Sequence, residues 1–129
     1  MRKAEIRRAT GETDISLSLV LDGSGQFSGG SGIGFFDHML HAFAVHSGAD
    51  LSLEMKGDLE VDCHHTVEDV GIVLGQALAA CLGDRSGIAR YGSFYLPMDE
   101  SLAFCALDVS RRPYPVFDCP FANPSVGGF

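Results

Sequence analysis

Alternating apolar and polar residues predict the strands of this chain. In residues 14–21 the apolar side chains of Ile15, Leu17 and Leu19 share one face, while serines occupy the other. This period of two is typical of a strand with one covered face. Residues 50–56 alternate in the same way, and strand-like patterns return at residues 91–96 and 102–109.

Two segments show helical spacing of their apolar residues instead. Residues 35–47 place them three or four apart and end before Gly48, which predicts a helix. Residues 66–82 predict a longer helix, with Thr66 as its N-cap and Gly83 as its C-terminal stop.

Glycine-rich segments separate these elements. Residues 22–25 predict a turn and residues 29–32 a flexible loop. Residues 12–23 and 100–111 resemble each other weakly, since each begins with an acidic residue, continues as an apolar strand and ends in a turn. The pattern indicates an internal duplication, with a chance likeness as the alternative.

Composition places the chain among globular proteins and excludes several function classes. Its 129 residues are 46% hydrophobic and 20% charged, enough for one domain with a real core. The net charge of −8 argues against nucleic-acid binding, although a few grouped arginines would still hold an anionic substrate.

The chain has no targeting or membrane signal in its pattern. No apolar stretch approaches the ~18 residues of a membrane span, and the basic N-terminus lacks the apolar segment of a signal peptide. The four cysteines form no C-x-x-C pair and predict reduced thiols. We therefore expect a soluble cytoplasmic protein without a membrane partner.

The histidines are the first sign of chemistry, because all five fall within residues 38–65. Glu68 follows His64 by four residues and His65 by three, so one carboxylate is expected above two imidazoles at the start of a helix. These donors suit manganese, iron or zinc. Adjacent imidazoles diverge by about 100° on a helix, which favours two different ions. The alternative is a pair of histidines hydrogen-bonded to nearby carboxylates.

The hypothesis extends to His38, which we expect to share a metal site with His64 and His65. Asp37 and His41 are four apart, so the carboxylate is expected to hold an imidazole nitrogen. The alternative is a capping aspartate beside solvated histidines.

Few basic residues are candidates for an anionic substrate. Arg90 and Arg112 lie near strand ends, and guanidinium groups suit phosphate; solvent-facing arginines are the alternative. Glu12, Asp99 and Glu100 are carboxylates next to predicted strands, and nothing local distinguishes an acid or base among them.

The two histidine segments, residues 34–40 and 62–70, resemble the signature segments of the imidazoleglycerol-phosphate dehydratase family. Further similar segments occur in the expected order, at residues 7–13, 87–92, 97–100 and 112–114. The resemblance implies an α+β fold of duplicated half-domains, each a four-stranded sheet backed by helices, like the second domain of ribosomal protein S5. Residues 1–87 would form the first half-domain and residues 88–129 an incomplete second one.

The resemblance also implies the site. The metal ligands, which would contact the substrate too, are His38, His64, His65 and Glu68. Glu12, Arg90 and Arg112 would complete substrate binding, with Glu12 as the acid–base candidate and Asp99 as a weaker one. The implied cofactor is Mn²⁺, two ions per active site, acting as a Lewis acid.

The implied reaction is elimination of water from imidazole glycerol phosphate to give imidazole acetol phosphate, in histidine biosynthesis. Family members assemble into a 24-subunit shell with metals at subunit interfaces. The second H-H-x-x-E segment of the family, a further histidine and a phosphate-binding lysine are not among these 129 residues. We therefore expect this chain to be inactive alone.

Two other readings stay open at this point. One is a non-catalytic metal-binding or assembly module that keeps the histidines. The other is a different metal enzyme, such as a zinc hydrolase with Glu68 as base.

Overall fold

A computed structural model describes residues 1–126 and 128–129, which divide into two units. The first unit comprises Met1–Gly83 with Asn123–Phe129, and the second comprises Asp84–Ala122. The first contains β1 (Lys3–Ala9), β2 (Thr13–Val20), β3 (Phe27–Gly30), α1 (Gly34–Ser47), β4 (Asp50–Gly57) and α2 (His64–Leu82). The second contains β5 (Tyr91–Met98) and β6 (Ser101–Asp108).

The first unit is built on a four-stranded sheet of order β1-β2-β4-β3. β1 and β4 both run antiparallel to β2, whereas β3 runs parallel to β4 and reaches it through α1. Leu17 pairs with Leu53 and Leu19 with Leu51, so the apolar faces of β2 and β4 coincide. This register follows from the alternation of the two strands, since a slip of one residue would turn the leucines to solvent.

The core lies between one face of this sheet and the two helices. α2 packs on β1 and β2, and α1 packs on β3 and β4. Leu40 and Ala44 of α1, with Val70 and Val73 of α2, join the buried leucines in one cluster. Burying these side chains contributes roughly 1.5–3 kcal/mol for each large one. The apolar spacing of the two helices extends beyond this core side, because Met39 and Phe43 of α1 and Leu78 of α2 are exposed.

The start of α2 differs from the prediction that Thr66 is its N-cap. The helix begins at His64, its N-cap position is Cys63, and the His64 backbone N–H donates to Asp62 Oδ1 at 2.8 Å. Thr66 is fully buried in the first turn instead. The reason is tertiary packing: a Cβ on Gly57 would lie 2.2 Å from Thr66 Oγ1, so this side chain faces the end of β4.

The prediction of a flexible loop at residues 29–32 is also partly wrong, because Gly29 and Gly30 belong to strand β3. Gly29 has a φ of +80° and pairs with Leu53. A Cβ at this position would lie 1.9 Å from the carbonyl oxygen of Leu53. The glycine therefore permits a close backbone approach at the sheet edge rather than mobility.

The second unit is an antiparallel hairpin in which all eight residues of each strand are exposed. Asp99 and Glu100 form its turn, where Asp99 has a φ of +50°. The Tyr95 and Phe104 rings stack across the strands at 4.5 Å.

The α+β class expected from the sequence is confirmed by this sheet and its helices. The main segment of the first unit ends at Gly83. The half-domain boundary that the sequence placed after residue 87 stays a prediction. No helix in the described part of the chain combines the length and apolarity needed to cross a membrane.

Candidate functional site

The first turn of α2 carries the histidine–carboxylate pair expected from its spacing. His64 Nε2 and Glu68 Oε2 lie 2.8 Å apart, and both side chains are exposed. Glu68 contacts His64 but, among the described residues, forms no hydrogen bond with His65, because adjacent helical side chains diverge.

His65 is paired with a different carboxylate, which sequence reasoning missed. Its Nδ1 lies 2.7 Å from Oδ2 of Asp58, the residue directly after β4. This hydrogen bond is the main cause that raises the pKa of His65, and the charges of Asp58, Glu12 and Asp62 act in the same direction. The His64 and His65 rings meet edge to face with centroids 5.4 Å apart, so the two pairs are neighbours.

Glu12 reaches the same end of the sheet through strand register. It lies in the turn between β1 and β2, next to Thr13, and Thr13 pairs with Gly57 beside Asp58. Thr10 Oγ1 accepts hydrogen bonds from the backbone N–H groups of Glu12 (3.1 Å) and Thr13 (3.0 Å), which fixes the turn. Glu12 and Asp58 line one open depression of about 300 Å³.

A buried polar cluster fastens this turn to α2. Thr13 Oγ1 donates to Asp69 Oδ2 at 2.5 Å, and Arg8 Nη1 lies 2.6 Å from the same oxygen. The hydrogen bond from Thr13, and then the Arg8 guanidinium, hold the pKa of Asp69 below its ordinary value. Because Asp69 follows Glu68, the cluster sets the position of the Glu12 turn relative to the histidines.

α1 supplies His38, which is exposed. The predicted Asp37–His41 contact is wrong: Asp37 Oδ1 instead accepts hydrogen bonds from the backbone N–H (2.6 Å) and hydroxyl (2.7 Å) of Ser31. The loop before α1 closes on the helix start and occupies this carboxylate; the capping role considered as the alternative is not seen either, since α1 has Ile33 at its N-cap position and no side-chain cap hydrogen bond. His41 packs near the Phe27 ring, with centroids 6.1 Å apart.

The predicted substrate residues of the second unit have partners within that unit. Arg90 binds Asp108 through Nε (2.7 Å) and Nη2 (3.1 Å), and its guanidinium lies 5.0 Å from the centroid of the Tyr91 ring. Arg112 is exposed and donates its backbone N–H to Ser110 Oγ. Asp99 stands in the exposed hairpin turn.

The donor chemistry at the start of α2 fits manganese, since imidazoles and carboxylates are present on exposed side chains. No group of three or more His, Cys, Asp or Glu side chains is gathered at one metal position within residues 1–126 and 128–129. The described residues thus offer donors in pairs, and each pair would be only part of a coordination shell. Cys63 lies beside these donors, and all four cysteines are free.

The fold and this cluster define an α+β protein with histidine–carboxylate pairs grouped at one end of its sheet. A family model for imidazoleglycerol-phosphate dehydratase matches residues 31–129, and the chain belongs to this family. Two curated relatives that carry the family's name come from Acetivibrio thermocellus, 57% identical over 126 residues and 98% of this chain, and Roseobacter denitrificans, 56% identical over the whole chain. The chain spans 65% of the first relative's length and 66% of the second's.

Solved structures agree with this assignment. The imidazoleglycerol-phosphate dehydratase of Staphylococcus aureus is similar with a TM-score of 0.86 and 37% identity, covering 98% of this chain and 69% of that one. The IGPD of Pyrococcus furiosus gives a TM-score of 0.77 and 35% identity, covering 96% of this chain and 65% of that one.

Proposed function

We propose that this chain is part of a manganese-dependent hydro-lyase that removes water from imidazole glycerol phosphate in histidine biosynthesis. The observation that carries the proposal is the meeting of three groups at one end of the sheet: Glu12, the Asp58–His65 pair and the His64–Glu68 pair. Membership of the dehydratase family supports this reaction as the one that such a cluster of imidazoles and carboxylates would serve.

The ligands for manganese would be His38, His64, His65 and Glu68. Bound manganese would supply Lewis-acid stabilisation of the negative charge that develops when a C–H proton is removed. The His64–Glu68 pair contains two of these ligands and the Asp58–His65 pair contains one. The remaining ligands would therefore come from other segments or other subunits. Assembly into a 24-subunit shell, with metals at interfaces where other subunits would add ligands, is a further part of the proposal.

Glu12 is our candidate for moving the proton. Its carboxylate is exposed while its backbone N–H is held by Thr10, so the residue is anchored and its carboxylate stays accessible. Asp99 is the weaker candidate, since it lies at the tip of an exposed hairpin.

Arg90 and Arg112 would bind the phosphate end of the substrate. Arg90 already holds a carboxylate through two hydrogen bonds, which is the geometry that a guanidinium also offers to phosphate. Substrate binding by Arg90 would then exchange Asp108 for a phosphate oxygen. A biosynthetic enzyme acting on this small phosphorylated metabolite would work in the cytoplasm.

We expect this chain to have little dehydratase activity by itself. The test compares three proteins with manganese: this chain, the full-length Acetivibrio thermocellus relative, and a chimera in which this chain is continued by the part of that relative beyond the match. Release of imidazole acetol phosphate would be measured for each. The relative and the chimera should turn over, and the chain alone should be at least about 1,000-fold slower, because catalytic groups acting as a unit are lost together.

Two outcomes would contradict this. Turnover by the chain alone at the rate of the relative would refute its inactivity. A folded, manganese-loaded chimera without turnover would refute the dehydratase proposal and favour a metal-binding module. In the active chimera, Glu12→Gln should lower kcat by roughly 100-fold or more while manganese binding is kept, as expected for a lost general acid or base; Glu60→Gln, an exposed carboxylate nearby, serves as the matched control.

A further inference from the structure

Asp58 lies in a turn after β4, and its carboxylate is nevertheless largely buried. Its side chain is 16% exposed, and Oδ2 lies 2.7 Å from His65 Nδ1. The other oxygen, Oδ1, is buried and has no hydrogen-bond partner among the described residues. Holding a carboxylate in such a place is costly unless a strong partner compensates, and His65 is that partner.

The backbone around Asp58 holds the carboxylate against the first turn of α2. The Asp58 carbonyl accepts a hydrogen bond from the Val61 N–H at 2.8 Å, which closes a turn after β4. The preceding residue, Gly57, packs against Thr66 so closely that a Cβ would lie 2.2 Å from its hydroxyl oxygen. These two contacts place Asp58 beside His65.

The hydrogen bond determines which nitrogen of His65 is available. A carboxylate accepts a proton from Nδ1–H, and in the neutral ring this leaves the lone pair on Nε2. We propose that Asp58 is a positioning residue that fixes His65 as the Nδ1–H tautomer and thereby presents Nε2 to a metal ion. The metal part of this inference rests on the proposed function. Carboxylates that hold a ligating histidine in this way orient the ring and strengthen it as a ligand.

The tautomer is tested by long-range proton–nitrogen NMR of histidine-labelled protein at a pH where His65 is neutral. The protein should show protonated Nδ1 and unprotonated Nε2 at His65. Asp58→Ala, and Asp58→Leu as a variant of similar bulk without an acceptor, should shift His65 toward the Nε2–H form. Glu60→Gln, an exposed carboxylate on the same turn, should leave the spectrum unchanged.

Manganese titration of the chimera, followed by electron paramagnetic resonance, tests the consequence. Asp58→Ala should weaken binding by roughly 10–100-fold, and Glu60→Gln should not. An Nε2–H tautomer in the unaltered protein, or an unchanged tautomer and manganese affinity in folded Asp58→Ala or Asp58→Leu, would overturn the inference. A chimera that keeps Nδ1–H at His65 but binds no manganese would overturn the proposed function while supporting the role of Asp58 in fixing the ring.

Discussion

Gly29 shows how a single position limits the sequence of this fold. It has a positive φ inside β3, and a Cβ would lie 1.9 Å from the Leu53 carbonyl oxygen, so any side chain must displace the strand. We expect Gly29→Ala to lower the free energy of unfolding by at least about 2 kcal/mol, since the unfavourable φ alone costs 1–2 kcal/mol for an L-residue. Urea denaturation followed by circular dichroism would measure it.

Gly75 is the matched control for this substitution. It lies exposed within α2, with nothing within 4 Å of an added Cβ. Gly75→Ala should therefore stabilise the protein by about 1 kcal/mol, because alanine favours a helix interior. Equal effects of the two substitutions, in sign or size, would show that β3 does not require the close approach at Gly29.

Contacts between residues were predictable only where one element determines them. The His64–Glu68 pair follows from helical spacing, which the sequence displays. The Asp58–His65 pair joins the end of β4 to α2 across seven residues, so it depends on how two elements pack. The same applies to Asp37. Its four-residue spacing to His41 suits a contact within α1, but its carboxylate accepts a hydrogen bond from Ser31 in the preceding loop instead.

The attachment of α2 to the β1–β2 hairpin depends on a charged group at the edge of the core. Asp69, whose side chain is 11% exposed, accepts a hydrogen bond from Thr13 and pairs with Arg8, whose side chain is 31% exposed. Asp69→Ala removes the acceptor of the Thr13 hydroxyl and the negative charge that pairs with Arg8. We expect a loss of about 3 kcal/mol, as for breaking a largely buried ion pair, measured by urea denaturation.

A second Asp–Arg pair, within the β1–β2 hairpin, provides the control. Asp14 and Arg7 lie 3.3 Å apart with side chains 54% and 73% exposed. Asp14→Ala should change stability by less than about 1 kcal/mol, because solvent screens an exposed pair. If both variants lost the same stability, burial of Asp69 would not be what anchors the helix to the hairpin.

The sequence predicted those elements that bury one side against the core. β2 and β4 alternate because one face of each covers the core, and both helices show their core side in their spacing. β1 and β3 were not predicted because they are edge strands. β3 consists of four residues with two glycines, so its place comes from pairing with β4 rather than from its own pattern.

At the scale of the whole molecule, the proposed metal site would need more donors than the described residues bring together. The chain spans about two thirds of its relatives' length, and its donors are grouped in pairs. Sequence spacing led to His64, His65 and Glu68, but under the proposed function their convergence on a metal would depend on chain segments or subunits that local patterns do not describe.

The β5–β6 hairpin should be the least stable part of the molecule. All its residues are exposed, including Tyr95, Leu96, Phe104 and Leu107, so its cross-strand hydrogen bonds have no buried face behind them. A two-stranded hairpin without such a face is marginally stable in water. Amide hydrogen exchange should therefore give β5 and β6 opening free energies of about 0–1 kcal/mol.

The β1–β2 hairpin is the internal control, because it has the same antiparallel pairing but a buried face on β2. Its β2 amides should exchange only with opening free energies close to that of global unfolding, since burial and pairing are lost together. If β5 and β6 were protected as strongly as β2, their apolar side chains would have to be covered in solution, and self-association measured by sedimentation would show whether other copies cover them. Weak protection at low concentration that rises with concentration would have the same meaning, because only association depends on concentration.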